Sequence, residues 1–247
     1  MKRAFDVSVS ALGLLILSPL LVVLAVLIWL QDYKSPFYVA PRTGKSEKPY
    51  RMVKFRSMVI RADKTGVDST AANDPRITAI GRFIRRFKFD ELPQLWNVFK
   101  GEMSLVGPRP NVKRETDIYT QEEKQLLSVR PGITDLSSIV FSDEGDILAG
   151  SSDPDLRYNQ LIRPWKSRLG LLYVKNAGPV PLDIRLIWLT IVSAVNRSRA
   201  LQEISELVRS LDGEDDLVSV SLRRTVLTPA PPPGATAIVT SRDYLSA

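Results

Sequence analysis

The side chains best suited to chemistry are two adjacent carboxylates, Asp90 and Glu91, which directly follow a basic stretch of the chain. The cations near them in the sequence are Arg82, Arg85, Arg86, Lys88 and Arg109. Carboxylates beside cations are what a site needs in order to hold a divalent metal and an anionic phosphate together. The pattern therefore predicts a metal–phosphate site, and the alternative is a solvated helix end that carries charges of both signs.

The composition limits which chemistry these residues can perform. The 247 residues include no cysteine and no histidine. This excludes disulfides, a cysteine nucleophile, most hydrolase triads and zinc sites built on thiolate or imidazole. A general base or metal ligand must then be Asp, Glu, Lys, Tyr or water. The formal net charge of +7 favours an anionic partner, which is a lipid headgroup, a nucleotide or a nucleic acid.

A strand upstream of the carboxylates is predicted to add cations to the site. Residues 33–60 read as a β-rich segment, in which Lys54 and Arg56 alternate with apolar residues, so one strand face is basic. Such a strand either presents cations to a phosphate or is an ordinary half-buried strand, and both interpretations stand open at this point.

The carboxylates themselves are predicted to lie between two helices. Helical spacing predicts a helix over residues 80–89 whose basic face is typical of a membrane interface. A second helix follows and ends at Gly101, which leaves Asp90 and Glu91 at its N-terminus, where the helix dipole favours anions. The preceding residues 61–78 are predicted to be a polar, mobile loop.

The N-terminal segment is apolar enough to enter a membrane. No charged residue lies from Val7 to Gln31, and about 20 such residues span a bilayer. Ser18 and Pro19 predict a break near the middle, because proline removes a helical hydrogen bond and serine can satisfy the freed carbonyl. Basic flanks on both sides indicate that both ends stay cytoplasmic. We predict a re-entrant helix–break–helix hairpin over residues 4–32, with a single proline-kinked span as the alternative.

Together these segments predict a mixed α/β, mostly helical fold with short strands and interfacial amphipathic helices. The apolar segment 182–195 is too short to span a membrane and is predicted to be a buried or interfacial helix. The predicted divisions are a membrane hairpin (1–32), a membrane-associated catalytic domain (33–195), a helical extension of unknown role (196–225) and a disordered proline-rich tail (226–247).

With these features in place, the chain resembles the small monotopic phosphoglycosyl transferases, bacterial sugar transferases that make polyprenyl-diphosphate-linked sugars. The resemblance covers about residues 2–195. Its motifs are KRAFD at 2–6, Ser18-Pro19, VKFRSM at 53–58, FDELPQLWNVFKGEMSLVGPRP at 89–110, RPGIT at 130–134 and YVKN at 173–176. The long central block is highly specific, and the re-entrant membrane helix of the family agrees with the hairpin predicted above.

The resemblance implies a two-step reaction. Asp90 would attack the β-phosphate of a UDP-sugar, expel UMP and carry the phosphosugar until polyprenyl phosphate (undecaprenyl phosphate in bacteria) takes it up. Glu91 would share a Mg²⁺ ion with Asp90. The implied phosphate contacts are Lys54, Arg56, Arg85 and Arg109.

The resemblance also implies a place in the cell and a set of partners. The site would lie on the cytoplasmic face of the bacterial inner membrane, in exopolysaccharide or lipopolysaccharide synthesis. The partners would be the donor, the lipid acceptor and membrane lipid, without nucleic acid, and a homo-oligomer is left open. Two rival hypotheses are a membrane-attached glycosyltransferase that releases UDP and a non-enzymatic scaffold that binds lipid or nucleic acid.

The chain departs from the family pattern at two places. Residues 132–148 read GITDLSSIVFSDEGDIL where many members continue GITGWAQVNG, and Gly170 stands where an aspartate is common. We predict that the 134–148 segment helps to distinguish donor sugars.

Overall fold

The computed structural model describes residues 1–62, 70 and 74–241. Within these residues the chain is mostly helical with small sheets, which confirms the predicted class. The helices are α1 (Lys2–Leu30), α2 (Ala79–Arg86), α3 (Gln94–Lys100), α4 (Lys113–Asp117), α5 (Leu136–Val140), α6 (Glu144–Leu148), α7 (Pro154–Leu161), α8 (Arg163–Lys175), α9 (Val180–Val195), α10 (Arg197–Ser210) and α11 (Asp215–Leu222). The strands are β1 (Phe37–Thr43), β2 (Pro49–Phe55), β3 (Ser104–Val106) and β4 (Gly132–Thr134).

Helix α1 is one helix of 29 residues, so the predicted break into two arms is corrected. Pro19 lies inside it and cannot donate to the carbonyl of Leu15, four residues earlier. The Ser18 hydroxyl donates to that carbonyl at 2.8 Å instead. The serine thus satisfies the freed carbonyl, as predicted. This replacement hydrogen bond helps to explain why the helix continues through the proline.

The first turns of α1 are anchored in the domain that follows. Arg3 donates to the carbonyls of Val98 and Phe99 at 2.6 and 2.8 Å. The buried Asp6 accepts from the Ser104 hydroxyl at 2.9 Å and from the Leu105 amide at 3.1 Å. These bonds attach the start of α1 to α3 and β3.

The last turns of α1 contact the same domain. Leu24 and Ile28 are buried in a small apolar cluster with Phe55 and Ile84, which lie on β2 and α2. The domain therefore contacts α1 near both of its ends.

The opposite face of α1 is mainly apolar and exposed. Its exposed large apolar side chains are Val9, Leu12, Leu15, Ile16, Val22, Val23, Val26, Leu27, Trp29 and Leu30. By length and composition α1 is able to cross a membrane. An exposed apolar face of this size indicates membrane association.

Two small sheets shape the interior of the domain. Strands β1 and β2 form an antiparallel hairpin, and β3 and β4 pair in parallel. Beyond β3, Gly107 meets Gly132 so closely that a Cβ added to Gly132 would lie 2.1 Å from the Gly107 nitrogen. The glycines of the GPRP and RPGIT motifs thus allow this backbone contact, which fixes the chain that leads into Arg109.

The main core joins the domain to the C-terminal extension. Helix α9, predicted over 182–195, buries Leu186 and Leu189 and leaves Trp188 exposed. The extension packs against α9, α5 and α8 through α10 and α11. Its buried apolar residues are Ala200, Leu201, Ile204, Leu207, Val208, Leu217 and Val218. The extension is therefore part of the folded unit.

The proline-rich segment differs from the expected disorder over the part that the structure describes, residues 226–241. Two of its carbonyls accept hydrogen bonds from side chains of the domain. The Pro231 carbonyl accepts from Arg168 at 3.0 Å, and the Pro233 carbonyl accepts from Thr120 at 2.6 Å. The segment lies against α7 and α8, and composition alone did not indicate these neighbours.

Part of the predicted polar loop, residues 63–69 and 71–73, lies outside the described residues. After the loop, Ile77 forms a bridge with Met58, and the Thr78 hydroxyl caps α2 by accepting from the Gly81 amide at 2.9 Å. The chain thus enters α2 in a defined direction.

Candidate active site

Asp90 and Glu91 lie in a single 3₁₀ turn, Phe89–Glu91, between α2 and α3. Helix α2 ends at Arg86, and Lys88 adopts the left-handed conformation with φ of 55°. This reversal ends the helix three residues earlier than the sequence pattern predicts. Helix α3 begins at Gln94, directly after Pro93, so the carboxylates precede its N-terminus as expected.

Glu91 is the centre of the charged cluster. Its Oε1 atom accepts from Lys54 Nζ at 2.9 Å and from Arg109 Nη2 at 2.5 Å. Burial alone would raise the pKa of Glu91, but the charges and hydrogen bonds of Arg109 and Lys54 hold it well below the usual range. Glu91 is thus a permanent anion that ties β2 and the Pro-Arg-Pro segment to the turn.

Asp90 differs sharply from its neighbour. The residue is 9% exposed. Within the described part of the chain, Lys54 and Arg109 form their hydrogen bonds and ion pairs with Glu91, and no side chain bonds to the Asp90 carboxylate. Burial raises the pKa of Asp90 above its usual value, while the nearby charge of Lys54 lowers it. Asp90 is thus a buried carboxylate without a hydrogen-bond or ion-pair partner among the described residues, close to the charge of Lys54.

Arg85 and Arg56, the other predicted phosphate contacts, lie in different settings. The charge of Arg85 lowers the pKa of Asp90, so this residue belongs to the cluster. Arg56 instead forms a two-point ion pair with Asp32, with distances of 2.6 and 2.7 Å, and donates to the Ser35 carbonyl. The structure therefore brings together Asp90, Glu91, Lys54, Arg85 and Arg109, and it ties Arg56 to the segment that follows α1.

An ion pair between Glu144 and Lys166 adds to the site and was not predicted as part of it. Burial raises the pKa of Glu144, but the nearby charges of Lys166, Arg109 and Arg85 lower it below its usual value. No local motif marks this pair, because its members are 22 residues apart.

The acidic side chains of residues 143–146 pair with different cations. Asp143 pairs with Arg197 and Arg223, whereas Glu144 pairs with Lys166. Among the described residues, no group of three or more acidic side chains converges.

Arg109 also lines a small open cleft beside the cluster. Asp135 and Ser137 of the 134–148 segment form part of its wall, and so does Gly170. A Cβ on Gly170 would approach Leu126 Cδ2 to 2.7 Å, so the glycine allows the Leu126 side chain to pack closely against α8. Both departures from the family pattern therefore face the same cleft.

A buried carboxylate that holds two cations beside a second carboxylate, together with an exposed apolar helix, suits an enzyme that handles phosphates at a membrane. The family described as bacterial sugar transferase matches residues 1–197. The chain belongs to this family, which confirms the resemblance drawn from the motifs and makes it an enzyme of the phosphoglycosyl transferase class.

Curated relatives carry names that agree with this class. An exopolysaccharide production protein PSS of Rhizobium leguminosarum bv. phaseoli is 39% identical over 81% of this chain and 97% of its own length. An undecaprenyl-phosphate glucose phosphotransferase of Komagataeibacter xylinus is 39% identical over 77% of this chain and 35% of its own length. A UDP-galactose-lipid carrier transferase of Erwinia amylovora is 40% identical over 55% of this chain and 31% of its own length. The chain thus spans about a third of the last two relatives.

Proposed function

We propose that this protein transfers a sugar-1-phosphate from a UDP-sugar to polyprenyl phosphate and releases UMP, through a phosphosugar carried on Asp90. The observation that carries the proposal is the contrast within the carboxylate pair. Asp90 is buried without a partner among the described residues, while Glu91 holds Lys54 and Arg109 beside it. The names of relatives that act on undecaprenyl phosphate and on UDP-galactose support the acceptor and donor classes.

In the first step a carboxylate oxygen of Asp90 attacks the β-phosphorus of the donor. The bond from that phosphorus to the oxygen bridging the two phosphates breaks, and its electron pair leaves on UMP. Lys54, Arg85 and Arg109 offset the repulsion between the aspartate and the diphosphate, and Arg109 suits two-point contact with phosphate oxygens. Chemistry that begins from an ionised carboxylate needs no histidine, which agrees with the composition.

In the second step an oxygen of polyprenyl phosphate attacks the same phosphorus. The bond from phosphorus to Asp90 breaks, the carboxylate is restored, and the sugar leaves as a polyprenyl diphosphate sugar. Both nucleophiles are anions, so the surrounding cations serve both steps.

The donor set fits a magnesium ion held mainly by substrate. Magnesium is usually bound by one or two carboxylates together with substrate phosphates. Asp90 offers a carboxylate that no described side chain holds. Glu91 offers Oε2, which accepts from Arg109 Nη1 at 3.4 Å, a longer contact than those on Oε1. When bound, the ion would neutralise charge on the diphosphate.

A lipid acceptor requires the site to lie at a membrane surface. Because the domain contacts α1 near both ends, at Asp6 and at Ile28, both ends of α1 are expected on one side of the membrane. The exposed apolar face of α1 would then lie in one leaflet of the inner membrane, with the site on the cytoplasmic face. This arrangement supports the predicted placement of both ends of α1 on one side of the membrane, with α1 as one continuous helix instead of two arms.

The central experiment measures the nucleotide product. Purified full-length protein in detergent is given a panel of UDP-sugars with undecaprenyl phosphate, and released UMP and UDP are separated. We expect UMP from the wild type and none from Asp90→Asn, which removes the nucleophilic oxygen but keeps the size of the side chain.

The donor alone provides a second readout, since the wild type should gain the mass of a sugar phosphate in intact-protein mass spectrometry and Asp90→Asn should not. Asp117→Asn is a matched control, because Asp117 is exposed and pairs with Lys113 on the surface of α4. Release of UDP would favour the glycosyltransferase hypothesis, and normal turnover by Asp90→Asn would exclude Asp90 as nucleophile.

A further inference from the structure

Apart from Arg109, the cleft beside the carboxylate cluster has a polar lining that the two steps above do not use. Its walls come from the Pro-Arg-Pro segment, α5, α7 and α8. They include Arg109, Asn111, Tyr119, Tyr158 and Lys166. Within the described part of the chain, the lining does not include Asp90 or Glu91. Arg109 is therefore the link between the carboxylates and this space.

Asn111 and Tyr119 form a hydrogen-bonding pair in the cleft wall. The Asn111 amide nitrogen donates to the Tyr119 hydroxyl oxygen at 2.8 Å. Burial raises the pKa of Tyr119, so its hydroxyl keeps the proton. The pair therefore retains one donor, the Tyr119 O–H, and one acceptor, Asn111 Oδ1, side by side. The imide edge of uracil presents the complement, a carbonyl oxygen next to N3–H.

The pair is held in a fixed position. Arg163 lies over the Tyr119 ring, 5.7 Å from its centroid, and is itself bound to the buried Glu123 at 2.6 Å. Asn111 follows Pro110 directly and is two residues from Arg109, so the two Cα atoms are at most about 7 Å apart. A ligand that touches both residues must carry an anion close to a hydrogen-bonding edge.

The anionic end of the cleft has a second cation. Lys166 is paired with Glu144 and lies over the Tyr158 ring, 5.4 Å from its centroid. The negative charges of Glu91 and Glu144 both raise the pKa of Arg109. Arg109 and Lys166 thus both line the cleft, and Arg109 also contacts the Glu91 carboxylate.

We propose that this cleft binds the nucleoside monophosphate part of the donor, with the Asn111–Tyr119 pair against the imide edge of the base and Arg109 and Lys166 around the α-phosphate. The inference rests on the proposed function. In an in-line displacement the leaving group departs on the side opposite the attacking oxygen. UMP is the leaving group, so it belongs beyond Arg109 as seen from Asp90. A polyprenyl chain does not suit a wall of Asn, Tyr and Lys.

The test is direct binding of UMP to the full-length protein in detergent, measured by titration calorimetry without donor or acceptor lipid. Loss of one hydrogen bond predicts roughly 3- to 10-fold weaker UMP binding by Tyr119→Phe and by Asn111→Ala. The matched control is Tyr50→Phe, because the Tyr50 hydroxyl is buried without a hydrogen-bond partner among the described residues. It should bind UMP as the wild type does.

A modified ligand identifies the base as the contact. N3-methyl-UMP lacks the N3–H donor and should bind the wild type roughly 3- to 10-fold more weakly than UMP does. In Asn111→Ala, which lacks the acceptor, the two ligands should bind alike. Equal affinity of the wild type for both ligands, or unchanged UMP affinity in Tyr119→Phe, would overturn the inference.

The outcomes separate this inference from the proposed function. Failure of the wild type to release UMP from any UDP-sugar would contradict the function, whatever the binding data. If UMP is released and Tyr119→Phe changes only the relative KM values of different UDP-sugars, the cleft holds the sugar and the nucleotide assignment is wrong.

Discussion

The two adjacent carboxylates perform different tasks because their partners differ. Glu91 is bound to Lys54 and Arg109, and these cations keep it ionised. Asp90 is buried beside the same cations without contacting a described donor, so its charge is less stabilised and more reactive. Adjacent residues in one turn thus supply a fixed anion, which holds the cations, and a less stabilised carboxylate, which is the proposed nucleophile.

This division predicts opposite shifts in the pH profile of two variants. Asp90 reacts as the ionised form, so kcat/KM should fall as pH falls through its raised pKa. The Lys54 charge lowers that pKa and the Glu91 charge raises it. Lys54→Met should therefore move the acidic limb to higher pH, and Glu91→Gln should move it to lower pH. The measurement is kcat/KM for UMP release across the acidic range.

Each shift is judged against the wild-type limb, so a lower overall rate in either variant does not affect the comparison. Arg114→Gln, on the exposed face of α4, serves as a control that also removes a surface charge. If the acidic limbs of both variants stay at the wild-type pH, a group other than Asp90 controls the acidic limb of the kcat/KM profile.

At the scale of the elements, local patterns were predictable and distant contacts were not. The β1–β2 hairpin and α9 follow from alternation and helical spacing within short segments. Arg56 illustrates the limit: its alternation with Lys54 places both on one strand face, but β2 ends at Phe55. Arg56 is already beyond the strand, where it meets Asp32. Only the three-dimensional course of the chain reveals that partner.

The candidate site divides in the same way. Asp90, Glu91 and Arg109 lie in one specific motif, so the order of residues along the chain is enough to group them. The Glu144–Lys166 pair depends on how α6 packs near α8. No short pattern encodes that packing, because each residue alone reads as an ordinary surface charge.

The contacts of α1 predict which positions are reachable from the cytoplasm. Ala4 and Lys34 flank its two ends and are exposed, and the chain has no cysteine of its own. We expect Ala4→Cys and Lys34→Cys to react with a membrane-impermeant thiol reagent from the same side of inner-membrane vesicles. Lys113→Cys, exposed on α4, reports the side of the catalytic domain.

Ile16→Cys is the matched control for the buried part of the helix. Ile16 is 65% exposed in the isolated protein but faces lipid in the proposed arrangement, so it should react only after detergent is added. Reaction of the Ala4 and Lys34 positions from opposite sides would show a spanning helix and exclude the re-entrant topology.

At the scale of the whole molecule, the folded unit is larger than the family match. The match ends at residue 197, while α10 and α11 place seven apolar residues in buried positions, from Ala200 to Val218. Burial of large apolar side chains contributes about 1.5–3 kcal/mol each, so the helices contribute on the order of 10 kcal/mol. This equals a large share of the roughly 5–15 kcal/mol that holds a typical domain folded.

Two truncations test how far the folded unit extends. A chain that ends at Val195 loses α10 and α11 and should fail to fold, judged by aggregation in detergent and loss of a thermal transition. A chain that ends at Arg224 keeps both helices and loses only the proline-rich segment, whose carbonyls bind Thr120, Gln160 and Arg168. After the cost of ordering that segment, we expect a loss of about 2 kcal/mol, or roughly 4–8 °C in Tm by circular dichroism. Wild-type stability of the chain ending at Val195 would mean that the extension is an independent addition to a domain that is complete without it.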